Sequence, residues 1–281
     1  MAGRTVTRFA PSPTGLLHLG HAYAALVAER LAEPGGFLLR IEDIDRARCR
    51  PEYETAIYDD LAWLGLTWQP PVMRQTDRMT AYRDALEGLA PLIYPCRCRR
   101  GDIRAALSAP QEGALPAGPD GLIYPGTCRG RRLTDAGSDD VIRLDAARAF
   151  DALGIDQVAF RDRTILPGHD HILTRDQFIK GIGDVVLSRR GLGTSYHLAV
   201  VVDDAAQGIT LVTRGKDLFD STYIHVLLQN LLQLPTPLYH HHRLIRDNAG
   251  KRLAKRDDAR AIRHYRQDGA TPQDIRRMVG L

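Results

Sequence analysis

The stretch RFAPSPTGLLHLGHA, residues 8–22, decides the fold. Pro11 and Pro13 cannot donate backbone hydrogen bonds to a sheet ladder, so a strand must end before them. A helix can begin only after them, over GHAYAALVAERLAE from Gly20. The junction of strand, rigid loop and helix offers unpaired backbone N–H groups and the positive end of a helix dipole. We therefore expect a phosphate group to bind there.

Strand-like and helix-like segments alternate through the first third of the chain. RTVTRFA, the first helix and GGFLLRIED are followed by a helix over EYETAIYDDLAWLG, and this βαβ rhythm is typical of a parallel sheet. Strand-like runs return with DDVIRLD, DVVLSRR and SYHLAVVVDDAAQGITLVTRG, before a helix over DSTYIHVLLQNLLQL and a short final helix after Pro272. We predict an α/β protein with a doubly wound sheet and a ligand crevice at the carboxyl ends of its strands.

Composition changes between Pro91 and Gly137, where three of the four cysteines and the loop LSAPQEGALPAGPDG lie. We expect this loop, residues 107–121, to be mobile. The predicted units are a first half of the sheet domain at 1–90, an insertion at 91–185, a second half at 186–245 and a basic loop with a final helix at 246–281.

The bulk composition sets limits on the class of protein. The 281 residues are 44% apolar and 26% charged, and a net charge of +4 permits an acidic partner such as RNA without demanding one. Neither an apolar leader nor a run of about 20 apolar residues is present, so we expect a cytoplasmic protein without a membrane partner. In that setting cysteines serve as thiols or metal ligands more often than as disulfides.

The motif His18-Leu19-Gly20-His21 stands where the first strand hands over to the first helix. Two imidazoles there can donate to phosphate oxygens as charge develops, and Gly20 lets a flat ring approach the backbone. Taken alone, the motif also fits a loop with two solvated histidines.

RFAPSPTG followed by HLGH resembles the signature of the class I glutamyl-tRNA synthetases. The match extends to LLRIEDIDRAR at 38–48, YHLAVVVDD at 196–204 and VTRGKDL at 212–218. The resemblance implies an ATP-dependent ligase with a Rossmann-like catalytic domain and an acceptor-binding insertion at 91–185. It covers the catalytic half of that family, and no helical anticodon-binding domain is expected after RLAKR at 252–256.

A stand-alone catalytic core with a CxC…YxxxC segment is similar to truncated paralogues of this family. Val200 also stands where ordinary members usually carry asparagine. That likeness implies glutamyl-adenylate formation from L-glutamate and ATP without tRNA, then transfer to the queuosine at the wobble position of tRNA(Asp), by a monomer. The alternatives are a minimal synthetase that charges a tRNA 3′ end and a non-catalytic paralogue that binds tRNA or glutamate.

Glutamate carries two carboxylates and one ammonium, so a selective pocket needs cations, an anion and fixed donors. A guanidinium pairs bidentately with a carboxylate where lysine would not. The resemblance places six residues around the amino acid, with Glu42 on its α-ammonium: Arg8, Ala10, Ser12, Glu42, Tyr196 and Arg214. Taken singly, Glu42 also fits a surface ion pair, Tyr196 a core position and Arg214 a solvated charge.

KRLAKR departs from the family's KMSKS loop. Lys255 matches its second lysine, which resembles a cation clamp on the ATP phosphates, whereas Arg252 replaces the first lysine and Ala254 the serine. Losing one hydroxyl contact costs roughly 0.5–1.5 kcal/mol, which slows turnover without abolishing it. The resemblance implies catalysis by His18, His21 and Lys255. ATP binding, with Mg²⁺, adds Gly20 and Arg252. The alternative is a basic tail that touches RNA or solvent.

Cys96, Cys98 and Cys128 supply three thiolates, whereas structural zinc takes four ligands. Tyr124 stands where the paralogues carry an unusual fourth ligand, so the resemblance implies one structural zinc per chain. Asp102, Asp120 or a water molecule compete for that fourth position, and three free thiols are the alternative to a metal site. Cys49 receives no role.

Overall fold

The computed structural model describes residues 4–108, 115–246 and 260–281. Part of the loop predicted to be mobile, residues 109–114, lies outside the described residues. So do Arg252 and Lys255 of the predicted ATP loop. All other predicted site residues are described.

Strands and helices alternate through the first 90 residues. They are β1 (Thr7–Phe9), α1 (Leu19–Leu31), β2 (Phe37–Ile41), α2 (Pro51–Trp63), β3 (Gln69–Arg74) and α3 (Met79–Gly88). The three strands pair in parallel in the order β1-β2-β3, with Arg8 opposite Leu38 and Leu38 opposite Gln69. The strand, loop and helix predicted from Pro11 and Pro13 are thus present, and α1 begins right after His18.

The insertion is largely antiparallel. Its elements are β4 (Ile93–Cys96), α4 (Arg100–Ser108), β5 (Ala117–Gly118), β6 (Gly121–Leu122), β7 (Val141–Leu144), α5 (Ala146–Leu153), β8 (Gln157–Arg161), β9 (Asp170–Thr174), α6 (Arg175–Gly181) and β10 (Val186–Ser188). One sheet has the order β10-β7-β4, and β5-β6 and β8-β9 are antiparallel pairs. The predicted boundary at 185/186 therefore cuts through a sheet, because β10 pairs with β7.

The remaining elements complete the parallel sheet and a short tail. They are α7 (Tyr196–Ala206), β11 (Leu211–Gly215), α8 (Ser221–Leu231), β12 (Leu238–His242), α9 (Ile262–Gln267) and α10 (Pro272–Met278). β11 pairs in parallel with β12, and the Thr210 and Leu211 N–H groups donate to the Val6 carbonyl at 3.0 and 3.1 Å. β11 therefore lies beside β1, although the paired ladders are two, β1-β2-β3 and β11-β12. The spatial order is β3-β2-β1-β11-β12, and the chain changes direction between β1 and β11, where such sheets bind their ligands.

One segment predicted as a strand is a helix. SYHLAVVVDDAA forms α7, which begins where the Ser195 side chain accepts a hydrogen bond from the Leu198 N–H. The helix is buried on most sides, from His197 to Asp204, so its apolar residues run on without a helical period. An apolar run of this kind cannot be told from a buried strand by periodicity alone.

Two large hydrophobic clusters flank the change of direction. One joins the insertion to the second catalytic half, through residues such as Phe150, Phe178, Val200 and Ile224. The other packs α1, β1 and β2 against the tail helices α9 and α10. No described helix is long and apolar enough to cross a membrane.

Candidate active site

A cavity of about 580 Å³ opens at the carboxyl ends of β1 and β11. Eight of the nine described residues predicted for glutamate and ATP line it: Arg8, Ala10, His18, Gly20, His21, Glu42, Tyr196 and Arg214. Ser12, in the loop after β1, is not among its lining residues. The cavity also takes residues that sequence reasoning missed: Asp217, His242 and Arg243.

His18 and His21 hold the start of α1 with their side chains. His18 Nδ1 accepts from the Gly20 N–H at 3.1 Å, and His21 Nδ1 accepts from the His18 N–H at 3.1 Å. The rings lie 3.8 Å apart between centroids. Because Nδ1 accepts in both neutral rings, the ring hydrogen is on Nε2. An anion at this helix start would meet imidazole N–H groups, whereas the Gly20 amide already donates to His18.

The position of the His18 ring leaves room only for glycine at position 20. A Cβ at position 20 would lie 2.9 Å from His18 Cε1 and 3.1 Å from Nδ1, so any larger residue displaces the imidazole. The sequence predicts that a flat ring can approach the backbone at Gly20. In this structure the ring that lies against Gly20 is the imidazole of His18, two residues earlier.

Gly20→Ala is expected to lower the kcat of glutamate-dependent ATP–pyrophosphate exchange by about tenfold or more, because removing one preorganised donor commonly costs more than that. Gly88→Ala is the matched control, since a Cβ there meets nothing within 4 Å. Equal rates for the two variants would contradict a role for the His18 ring position.

Arg8 and Arg40 share one carboxylate beneath the cavity. Asp204 Oδ1 accepts from Arg8 Nε at 2.8 Å and from Arg40 Nη1 at 2.7 Å. Burial alone would raise the pKa of Asp204, but the two guanidinium groups outweigh it and hold the pKa below its usual value. Arg8 Nη1 also donates to the Thr213 carbonyl at 3.0 Å, so its planar group is fixed at the cavity wall.

Glu42 lies beside the same cluster. Its Oε1 is 3.3 Å from Arg40 Nη2, and its side chain is 12% exposed. Burial raises the pKa of Glu42 although Arg40 and Arg8 lower it. A buried carboxylate in this position gains from a further cation, such as the ammonium of an amino acid.

Sequence reasoning missed this ionic cluster. Asp203 accepts hydrogen bonds from Gln75 at 3.0 Å, Arg78 at 3.0 Å and Tyr82 at 2.7 Å, and it is fully buried. Two features of the sequence could have indicated the cluster. They are Arg40 inside the apolar strand LLRIED and the acidic pair that ends YHLAVVVDD. Charged residues in buried segments indicate partners, but not which ones.

Arg214, at the end of β11, is held by neutral side chains. Its Nε donates to His241 Nε2 at 3.1 Å, Nη1 donates to His225 Nδ1 at 2.9 Å, and Nη2 donates to Thr222 Oγ1. Among the described residues, no ion pair joins Arg214 to a carboxylate, whereas Arg8 pairs with Asp204 and Arg40 pairs with three carboxylates. The positive charge of Arg214 is therefore not paired directly with a carboxylate, although Glu42 and Asp217 line the same cavity.

The insertion brings three thiols together. The Sγ atoms of Cys96, Cys98 and Cys128 lie within 4.8 Å of one another, and those of Cys98 and Cys128 are 3.6 Å apart. The Tyr124 hydroxyl lies 3.5 Å from Cys98 Sγ and accepts from the Cys128 N–H at 2.8 Å. Burial raises the pKa of Cys98 to about 11, whereas hydrogen bonds outweigh burial at Cys128 and lower its pKa to about 7.

Of the competing fourth ligands, Asp102 accepts from the Arg99 N–H at 2.7 Å, and Asp120 lies 3.7 Å from His197 Nε2. Both carboxylates are thus engaged with other partners, whereas the Tyr124 oxygen adjoins the thiols.

A second cavity, of about 770 Å³, lies beside the cysteine cluster. Its wall carries six arginines: Arg99, Arg100, Arg104, Arg143, Arg189 and Arg190. Only two carboxylates, Asp120 and Asp184, face them among the lining residues. Arg143 is 9% exposed, and its Nε is without a hydrogen-bond partner in the described part of the chain. This excess of positive charge favours an anionic ligand.

Comparison with known proteins identifies the family of this chain. Residues 4–120 and 133–281 match the family described as tRNA synthetases class I (E and Q), catalytic domain. Tyr124 and Cys128 lie in the gap between the matched ranges. A relative from Rhodobacter capsulatus named glutamyl-Q tRNA(Asp) synthetase is 56% identical, over 98% of this chain and all of that protein. One of the same name from Nocardia farcinica is 41% identical, over 95% of this chain and 81% of that protein.

Solved structures agree with this placement. A glutamate tRNA ligase from Elizabethkingia meningosepticum, crystallised with its amino acid, has a TM-score of 0.73 and 25% identity. The similarity covers 99% of this chain and 61% of that one. A methionyl-tRNA synthetase from Mycobacterium tuberculosis is 12% identical with a TM-score of 0.62, covers 98% and 64%, and shows the fold alone. The predicted α/β catalytic fold with a parallel sheet is confirmed. The chain belongs to the class I tRNA synthetases of the glutamate and glutamine type, in the group of the glutamyl-Q tRNA(Asp) synthetases.

Proposed function

We propose that this chain activates L-glutamate with ATP and transfers it to the queuosine at the wobble position of tRNA(Asp). An oxygen of the glutamate α-carboxylate attacks the α-phosphorus of ATP, pyrophosphate leaves, and glutamyl-adenylate forms without tRNA. The observation that carries the proposal is one cavity lined both by charges suited to a dicarboxylic amino acid and by the two histidines at the start of α1.

The amino acid would lie between cations and one anion. Arg214, which forms no ion pair with a described residue, offers its positive charge to a carboxylate, and Arg8 adds a guanidinium whose orientation is fixed by its hydrogen bond to Asp204. Glu42 would take the α-ammonium, while Tyr196, 36% exposed, and Ala10 close the pocket. Ser12 would contribute from the loop after β1, outside the cavity lining.

The nucleotide would lie on the side of His18 and His21. Their Nε2–H groups would donate to the phosphates as charge develops, and Gly20 keeps the His18 ring in place. Mg²⁺ bound with ATP would neutralise phosphate charge. Arg252 and Lys255 would act from the segment between Ile245, which lines the cavity, and Ala261, which bridges to His18.

The second cavity would receive the RNA. Its arginines suit phosphate groups, and its apolar floor of residues such as Leu122 and Val186 suits a base or ribose. The start of α7 links the walls of the two cavities. Tyr196 lines the first, and His197 lies 3.7 Å from Asp120 of the second. Since tRNA is the partner, the proposal places the protein in the cytoplasm.

The test has two arms. Glutamate-dependent ATP–pyrophosphate exchange without tRNA should be active, and a non-catalytic binding protein would show none. Labelled glutamate should then pass to tRNA(Asp) that contains queuosine, and not to tRNA(Asp) that lacks it or to tRNA(Glu). Equal labelling of both forms of tRNA(Asp), or labelling of tRNA(Glu), would refute the queuosine acceptor and favour a minimal glutamyl-tRNA synthetase.

We also propose one structural zinc ion, held by Cys96, Cys98, Cys128 and the Tyr124 oxygen. Zinc–sulfur bonds of about 2.3 Å in a tetrahedron put sulfur atoms about 3.8 Å apart. The 3.6 Å between Cys98 and Cys128 fits this separation, and the phenol oxygen adjoins the thiols as a fourth donor. Such an ion would cross-link β4 to the loop that carries Tyr124.

Elemental analysis is expected to find about one zinc per chain, and Cys98→Ser should lose it, since three remaining ligands leave the tetrahedron incomplete. Cys49→Ser is the control, because Cys49 lies outside the thiol cluster and should retain the metal. A stable, metal-free wild-type protein would contradict the site.

A further inference from the structure

A chain of buried polar side chains runs behind Arg214 and joins the second catalytic half to the insertion. Asp162 Oδ2 lies 2.6 Å from His241 Nδ1, and Arg214 bridges His241 and His225. His225 Nε2 in turn lies 3.1 Å from His197 Nδ1. All five side chains are nearly closed to solvent, between 2% and 6% exposed.

Arg214 sets the direction of every bond in this chain. A guanidinium only donates, so His225 Nδ1 and His241 Nε2 must accept, and both rings must be neutral. The hydrogen of His241 is then on Nδ1 and is donated to Asp162. The hydrogen of His225 is on Nε2 and is donated to His197. Burial, followed by the charge of Arg214, lowers the pKa of His225 well below its usual value, which agrees with a neutral ring.

The bonds to His241, His225 and Thr222 use one N–H of each guanidinium nitrogen. Five N–H groups are present, so the bonds to described residues leave two of them, one on each terminal nitrogen. Such a pair is what a carboxylate needs for bidentate binding. Neutral acceptors fix the group without cancelling its charge, whereas a carboxylate in their place would compete with an acidic ligand.

We propose that His225 and His241 are positioning residues for glutamate recognition, two neutral imidazoles that aim Arg214 into the first cavity and leave its charge to the ligand. This inference rests on the proposed function, in which Arg214 binds a glutamate carboxylate. Neither histidine lines the cavity, so both act through Arg214.

Substitution of each histidine by asparagine or by glutamine tests its two ring nitrogens one at a time. An asparagine amide lies near the position of Nδ1 and a glutamine amide near that of Nε2. His225→Asn therefore keeps an acceptor for Arg214, and His225→Gln keeps only the link to His197. At position 241 the order reverses, since His241→Gln faces Arg214 and His241→Asn faces Asp162.

The test is the KM for glutamate in ATP–pyrophosphate exchange, beside the KM for ATP and the thermal midpoint of all four variants. We expect the glutamate KM to be about ten- to a hundredfold higher in His225→Gln than in His225→Asn, and in His241→Asn than in His241→Gln, with similar ATP KM within each pair. A merely structural role would rank asparagine and glutamine the same way at both positions.

The same ranking at both positions, or an equal glutamate KM in all four variants, would overturn the inference. Arg214→Gln, measured beside them, tests the proposed glutamate site separately from the positioning role of the two histidines. If it raises the glutamate KM while the histidine variants do not differ, the positioning role fails and the proposed function stands. If it leaves the glutamate KM unchanged, the proposed function itself fails at Arg214.

Discussion

Arg214→Gln is expected to lower kcat/KM for glutamate by at least about a hundredfold, the largest effect we predict on activity. A charge-assisted hydrogen bond contributes roughly 1.5–3 kcal/mol, and a bidentate pair contributes two of them. About 2.7 kcal/mol already corresponds to a hundredfold. No described carboxylate forms an ion pair with Arg214, so its substitution removes a cation that is free to pair with a ligand at the cavity wall.

The measurement is ATP–pyrophosphate exchange over a range of glutamate and ATP concentrations. Arg161→Gln is the control, because Arg161 pairs with Asp170 on the surface with a side chain 69% exposed. Arg214→Lys should recover little activity, since an ammonium cannot reproduce a planar fork. Full activity of Arg214→Lys would show that only charge, and not geometry, matters at this position.

Asp204→Asn is expected to have the largest effect on stability. Asp204 is 7% exposed and accepts hydrogen bonds from both Arg8 and Arg40. Removing one partner of a buried ion pair costs about 3–5 kcal/mol, because the remaining charges stay buried without compensation. That is a large share of the roughly 5–15 kcal/mol by which native proteins are stable. The free energy of unfolding, from denaturant titration at pH 7, measures it.

The pH dependence of this loss follows from the pKa of Asp204. Arg8 and Arg40 hold that pKa below its value in the unfolded chain, which is about 3.9. The stabilisation is therefore complete above about pH 4 and is lost as the pH falls through the folded-state pKa. The difference in unfolding free energy between wild type and Asp204→Asn should shrink below about pH 4.

Asp139→Asn serves as the control, since Asp139 is exposed in a turn. It should change the unfolding free energy by no more than about 0.5 kcal/mol. A difference between wild type and Asp204→Asn that stays constant from pH 7 to pH 3 would contradict the ion cluster.

The sequence was sufficient where local chemistry decides the structure. As expected from Pro11 and Pro13, β1 ends before the two prolines, at Phe9, and α1 begins after them, at Leu19. The quoted motifs were sufficient for the family, which the comparisons confirm. Each motif taken alone also fits an ordinary loop or surface position, and only their combination in one chain indicates the family.

The sequence was insufficient where partners are distant. Arg40 and Asp204 are separated by 164 positions, so nothing local indicates that they share a hydrogen bond. The helix α7 was read as a strand because burial on most sides erases its period. The histidines around Arg214 lay in segments that read as an ordinary helix and strand, and only the fold joins them.

His18 depends on a segment made much later. The Ile262 N–H donates to the Leu17 carbonyl at 2.8 Å, and Ala261 bridges to His18. At ribosomal rates of about 5–20 residues per second, that segment emerges on the order of 10–50 s after the N-terminal junction. A nascent chain can therefore form β1 and α1 early and still lack the backbone contacts that support Leu17 and His18. The start of α1 would gain these contacts only once residues 260–281 have left the ribosome.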